Sequence, residues 1–363
     1  MEHGGDVYTE GILKGRELLD FSSNINPLGV PSSFKKNVDE ALKNVERYPD
    51  VEYRKVKYII RKYLDFSENY FGNNKCNGEL SLDDSDIVLG NGASEIIDLV
   101  ISCFNSVCIV VPSFIEYEKD ALKWGCSVSY SSLTDNMDYD YEDIKLKIKN
   151  ADALILGNPN NPNGGIIDKD KFYEIVNFCN KNHKTIIIDE AFVEFTGKIG
   201  CSFLREMKQF RCIFIVRALT KFFALPGIRF GYGVCKDVKL MDKIRTKQNP
   251  WNINCFAETA AEYVLQDECY MDNSLKWIEM ERKFMLESLK AIPVIEKIYD
   301  TYSNFVLCKL GDMSCEKLYR KCLNAGILIR KCSNFRKLDD RFIRLAIKDR
   351  SRNQRLLSVL GNI

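Results

Sequence analysis

Histidine is scarce: His3 and His183 are the only two in 363 residues, too few for a His-rich zinc site. The 14 cysteines run from Cys76 to Cys332 without a single C-x-x-C pair, which sets aside a zinc ribbon or a thioredoxin-type redox motif, and no metal is expected. Charge of one sign is not in excess. The 52 Lys and Arg against 51 Asp and Glu leave a net charge of +1, which argues against a polybasic nucleic-acid binder. No apolar run approaches the length that spans a bilayer. The opening Met-Glu-His-Gly-Gly-Asp lacks the basic and apolar regions of a signal peptide. Many cysteines without an export signal point to a reducing cytoplasm. The expectation is a cytoplasmic protein with neither membrane nor nucleic acid as partner. There is no internal repeat and no low-complexity linker.

What is present is an ordinary globular composition, 45% hydrophobic and 28% charged, in a chain long enough for two domains. Short apolar runs alternate with amphipathic stretches, the pattern of an α/β fold with a mostly parallel sheet. Strands are predicted at 86–90, 107–111, 153–157, 185–189, 212–217 and 228–235, with helices at 94–104 and 168–180. Strands return at 304–310, 327–332 and 342–347, around a helix at 315–325 and before a last helix at 350–360. A single helical stretch is expected over 256–289. The predicted organisation is an N-terminal arm (1–40) packed on the small domain, a large α/β domain (41–255) and a smaller C-terminal α/β domain (256–363).

Four segments carry chemistry. Gly-Asn-Gly-Ala-Ser-Glu (90–95) follows a strand and opens a helix, where free N–H groups favour an anion; alone, such a turn is more often only a turn. Asn158 to Gly164 places four Asn and two Pro after another strand, at the carboxyl end of the sheet where ligands sit in α/β folds. Asp189 ends the apolar run Ile186–Ile188, and a carboxylate there needs a cation, a metal or a capping role. Lys221, set among Leu219, Phe222 and Phe223, reads as a partly desolvated amine suited to Schiff-base chemistry rather than a solvated surface lysine.

In this order N-G-x-S-E, N-P-N-N-P-x-G, D-E-A-F, T-K-F and G-x-R-x-G-Y resemble the pyridoxal-phosphate enzymes of the aspartate-aminotransferase fold, and within it the histidinol-phosphate aminotransferase group. H-G-G-D at the start, D-F-S-S-N-I-N-P-L-G (20–29), E-R-Y-P-D (46–50), Q-N-P-W-N (248–252) and the tail 327–347 are similar to its threonine-phosphate decarboxylase branch. The resemblance covers essentially the whole chain. It implies a large domain with a mostly parallel seven-stranded sheet, pyridoxal 5'-phosphate as cofactor, and a homodimer with shared active sites. Lys221 resembles the cofactor-bearing lysine, Asp189 the partner of the ring nitrogen, and Asn161 the amide on the ring oxygen. Tyr117 matches the aromatic stacked on the ring. Gly92, Ala93, Ser94, Thr220 and Arg229 resemble the cofactor-phosphate site, which Tyr48 reaches from the neighbouring subunit. Two positions depart from the pattern. Phe192 replaces a tyrosine that bonds the ring oxygen, and Ala218 replaces a hydroxyl residue at the phosphate.

At the substrate end, Arg344 resembles the arginine that grips the substrate carboxylate as a planar fork. His3, Asn24 and Arg330 resemble the group that binds the substrate phosphate. With Trp251 they favour decarboxylation of L-threonine O-3-phosphate over transamination of histidinol phosphate, the alternative. The resemblance thus implies a small phosphorylated amino acid or amino alcohol as substrate. Asp6 stands where the pattern has Asn, so it is expected either to point away from the phosphate or to mark a different substrate.

Overall fold

The computed structural model describes residues 3–72, 79–197 and 199–363. A short strand, β1 (Leu19–Asp20), lies in the N-terminal arm. Seven strands then form the main sheet: β2 (Ile87–Gly90), β3 (Ser106–Val111), β4 (Ser127–Ser132), β5 (Ala153–Gly157), β6 (Thr185–Asp189), β7 (Ile213–Ala218) and β8 (Gly231–Cys235). Their order is β2-β8-β7-β6-β5-β3-β4, and only β8 runs antiparallel to its neighbours. The apolar runs are continuous because helices cover both faces, so residues of both parities are buried. Leu154, Ile155, Ile186, Ile187, Ile213 and Phe214 are all 0% exposed. Edge strand β4 has no such run (Ser-Val-Ser-Tyr-Ser-Ser), and the sequence reading passed over it.

The smaller domain carries β9 (Ile295–Ile298), β10 (Phe305–Leu310), β11 (Ile327–Leu328), β12 (Arg330–Lys331) and β13 (Phe342–Ala346). β12-β13-β10-β9 form an antiparallel sheet, whereas β11 pairs in parallel with β1. The run 327–332, expected as one strand, therefore divides between two sheets at Ile329. The helical stretch expected over 256–289 is two helices, Cys255–Val264 and Glu268–Leu289. Asp267 breaks it: its carboxylate caps the second helix by accepting from the Tyr270 N–H. The strand expected from Ile228 begins at Gly231, because Arg229 sits in the left-handed region at φ 60°.

The arm does more than line the small domain. Beyond β1, the Ala346 N–H donates to the Phe21 carbonyl, and the Asn26 N–H donates to the carbonyl of Lys221 itself. The Asn26 amide also donates to the Phe222 carbonyl and the Ser274 hydroxyl, both at 2.8 Å. Residues 20–26 are thus a strap between the small sheet and the Lys221 loop. The helix Ser32–Asn44 crosses the arm boundary expected at residue 40 and packs on the helix Cys255–Val264.

Candidate active site

A cavity of roughly 390 Å³ opens at the carboxyl ends of β5, β6 and β7, between the main sheet, the arm strap and the small sheet. Twelve predicted residues line it: Ala93, Ser94, Tyr117, Asn161, Asp189, Thr220, Lys221, Arg229, His3, Asn24, Arg330 and Arg344.

One end is built on the main sheet. Asp189 ends β6; its Oδ2 accepts from the Tyr117 hydroxyl at 2.6 Å and its Oδ1 from the Ala191 N–H at 2.9 Å. Burial pushes this carboxyl up, and Tyr117, the Ala191 N–H and Lys221 oppose that rise. Lys221 follows β7. Burial, reinforced by Arg344, Arg229 and Lys348, pushes its amine down to about 8. Its ammonium lies 6.0 Å from the centre of the Phe192 ring. The desolvated amine read from the aromatic neighbours is therefore what the fold makes.

The helix Ala93–Ile101 begins at this end, capped by Gly92 at φ 86°. A Cβ on Gly92 would stand 2.4 Å from Arg229 Nη2, so only glycine lets the guanidinium lie across the helix start. Gly92 is the floor under Arg229 rather than part of the cavity wall. Of the four asparagines in 158–163, three are structural. Asn158 donates to the Cys201 carbonyl, Asn160 to the Pro112 carbonyl and Asn163 to the Met137 carbonyl. Only Asn161 turns to the cavity, where its Oδ1 accepts from Arg344 Nη1.

The other end is assembled from distant segments. Arg330 and Arg344 are direct cross-strand partners in β12 and β13, 3% and 6% exposed. Like charges so placed repel. Burial lowers both guanidinium groups, Arg344 to about 10. Arg344 Nη2 donates to the Ser22 carbonyl at 2.8 Å, while its Nε is buried without a hydrogen-bond partner. Arg330 Nη2 donates to Asn334 Oδ1 at 2.8 Å, with its guanidinium 5.1 Å from the centre of the Phe335 ring. Asn24 is 1% exposed, and its Oδ1 is buried without a partner. His3 Nε2 lies 2.9 Å from Glu116 Oε1. Arg330, Arg344, Lys221 and Arg229 thus line one cavity, a concentration of positive charge that favours an anionic ligand.

Two predicted residues behave otherwise. Tyr48 does not reach the cavity of its own chain: it is 79% exposed and packs on Trp251, ring centres 4.9 Å apart. Asp6 is turned away from the cavity. Its carboxylate caps the helix Val7–Glu10, accepting from the Thr9 N–H at 3.1 Å and the Thr9 hydroxyl at 2.7 Å. The sequence reading missed Glu116, Ser22, Ser23, Phe114 and Phe335, which also line the cavity. Phe335 lay within the tail already singled out, but a lone glutamate on a helix carries no signal of its own. Among the described residues no cluster of His, Cys, Asp and Glu could hold a metal ion, the cysteines are free thiols, and no helix is long and apolar enough to cross a membrane.

The sequence model for aminotransferase class I and II matches residues 16–360. The threonine-phosphate decarboxylase of Salmonella typhimurium is 32% identical, over 99% of this chain and 96% of its own. A protein of Caldanaerobacter subterraneus subsp. tengcongensis, provisionally named threonine-phosphate decarboxylase, is 37% identical over 100% of this chain and 94% of its own. A crystal structure described as the histidinol-phosphate aminotransferase of Clostridium acetobutylicum is 52% identical, with a TM-score of 0.89 over 95% of this chain and 98% of that one.

Proposed function

The chain belongs to the aminotransferase class I and II family of pyridoxal-phosphate enzymes, and we propose that within it this protein decarboxylates L-threonine O-3-phosphate to (R)-1-amino-2-propanol O-2-phosphate. The observation that carries the reading is the buried cross-strand pair Arg330–Arg344. Two guanidinium groups on one wall match a substrate with two anionic ends. Histidinol phosphate has a phosphate but no carboxylate, so on the second reading the pair would be matched only by the dicarboxylate 2-oxoglutarate.

The residues at the sheet end fit pyridoxal 5'-phosphate. The helix start at Ala93 and Ser94, with Thr220 and Arg229, would hold its phosphate. Lys221 would carry it, Asn161 would face its ring oxygen and Tyr117 its ring. With Phe192 and Ala218 in place of a tyrosine and a hydroxyl residue, ring oxygen and phosphate each have one hydrogen bond fewer. When bound, the cofactor supplies a cationic ring that accepts the electron pair of a bond broken at Cα.

The chain's own groups do the rest. Asp189, fixed by Tyr117 and Ala191, holds a proton at the ring nitrogen. Arg344, restrained by Asn161 and Ser22, would grip the substrate carboxylate as a fork and so orient the bonds at Cα. Arg330, His3 and Asn24 take the phosphate. Lys221, its amine pushed down to about 8, still carries its proton near neutral pH but gives it up more readily than an ordinary lysine, and would return it to Cα after CO2 has left. Tyr48, exposed on its own chain, would complete the cofactor-phosphate site of a second subunit in a cytoplasmic homodimer.

A histidinol-phosphate aminotransferase is the second reading; it is favoured by the 52% identity to the Clostridium acetobutylicum protein, and it would share the sheet end unchanged. Holoenzyme given threonine phosphate should release CO2 without consuming 2-oxoglutarate. Faster amine transfer from histidinol phosphate to 2-oxoglutarate would overturn the proposal in favour of the second reading.

A further inference from the structure

Three consecutive residues on one helix each hold a different part of the molecule. On Glu116–Lys123, Glu116 meets His3 of the arm and Tyr117 bonds Asp189. Glu118 turns to the small domain, where Arg336 Nε donates to its Oε2 at 2.9 Å and Arg336 Nη2 to its Oε1. The contact is a two-pronged fork. The Tyr130 hydroxyl adds a third bond, to Glu118 Oε1 at 2.9 Å, and the Arg336 guanidinium lies 4.2 Å from the centre of the Tyr130 ring. Arg336 holds the Glu118 carboxyl below its usual range.

Arg336 lies in residues 332–338, the first part of the loop 332–341 that joins β12 to β13. The two residues before it are Asn334, which accepts from Arg330, and Phe335, which lies against the Arg330 guanidinium and lines the cavity. The fork crosses a groove of roughly 470 Å³ lined by Phe114, Ile115, Glu118, Asn334, Phe335 and Arg336. A surface ion pair alone contributes little. This one has a bidentate geometry, an aromatic floor and a third hydrogen bond, and although Arg336 is 44% exposed, Glu118 is 23% exposed.

We propose that Glu118 and Arg336 are positioning residues for substrate specificity: by tying residues 332–338 to the helix that carries Tyr117, they aim Arg330 at the phosphate of the substrate. The inference rests on the threonine-phosphate reading for the identity of that phosphate. It requires that loosening the fork weaken phosphate recognition selectively, leaving the chemical step in place.

The test uses holoenzyme with Arg336→Ala, Glu118→Gln and the charge-reversed double variant Glu118→Arg/Arg336→Glu. Three quantities are read: hydrogen exchange across 332–338, the dissociation constant of inorganic phosphate, and KM and kcat for threonine phosphate beside those for threonine. Each single variant should speed exchange at 332–338, weaken phosphate, and raise KM for threonine phosphate by roughly three- to tenfold. kcat for threonine phosphate and kcat/KM for threonine should move less than about twofold, and the double variant should recover part of the lost affinity. Unchanged exchange and phosphate affinity in the single variants would overturn the proposal. So would an equal loss for threonine and threonine phosphate, which marks a purely structural pair. If the wild type does not decarboxylate threonine phosphate, the functional reading fails, and loop exchange with phosphate affinity still decides this one.

Discussion

The two ends of the cavity are built on different principles. The sheet end stands on the carboxyl ends of β5, β6 and β7, so neighbouring strands present Asn161, Asp189 and Lys221 side by side. The anion end draws His3 and Asn24 from the arm, Arg330 and Arg344 from the small sheet, and Glu116 from a helix of the large domain. Rigid parallel strands fix reacting groups without help from outside. Groups spread over three segments depend on straps and ion pairs to arrive together. On the proposed reading, the first end would serve chemistry common to a family and the second would select a substrate.

The largest expected effect comes from removing the amine at the sheet end. Lys221→Ala should lose turnover by about 10⁴-fold or more, and borohydride should fix pyridoxal 5'-phosphate on Lys221 and on no other lysine of the wild type. A neutral amine is the form that attacks an aldehyde. With Lys221 at about 8, uptake by the apo-protein should rise with pH through about 8 and then level. An ordinary lysine would rise only near 10.4. Label on another lysine, or a midpoint near 10.4, breaks the contrast between the ends.

Asp189→Asn should come next, lowering turnover on the order of 10²-fold or more while the fold, followed by circular dichroism, is kept. Near-normal turnover would remove Asp189 from its role. The anion end should respond differently. Arg330→Ala should weaken threonine phosphate by roughly 10- to 100-fold, the range of a charge-assisted contact, and hardly affect threonine. A similar loss with both substrates would mean that Arg330 supports the fold instead of the phosphate. The smallest effect should be at Asp6. Asn is also a good helix cap, so Asp6→Asn should change KM for threonine phosphate by less than about twofold. A large gain in affinity would place that carboxylate near the phosphate after all.

The same contrast explains what could be read from the chain alone. Lys221, Asp189 and Asn161 stand in contiguous motifs because each follows a strand whose apolar run is itself a signal. Arg344 and Arg330 look like edge-strand arginines until β12 and β13 place them opposite one another. Glu116, Glu118 and Arg336 have no local pattern, since what they meet is decided by packing between segments up to 218 residues apart. The split of 327–332 between two sheets was hidden for a similar reason: β1, which claims Ile327 and Leu328, lies in the arm. The break at Asp267 has a local signal, a helix-capping residue in the polar stretch Gln266-Asp267-Glu268, which the expectation of a single helix did not use.

The central claim is that the bond broken at Cα is the one to the carboxylate held by Arg344. L-Threonine O-3-phosphate labelled with carbon-13 in its carboxyl group and deuterium at Cα tests this in a single incubation with holoenzyme. The account predicts that the carbon-13 leaves as CO2 while the deuterium stays on the carbon of the aminopropanol phosphate. Deuterium lost to water, with the labelled carboxyl retained in a keto acid, would contradict it.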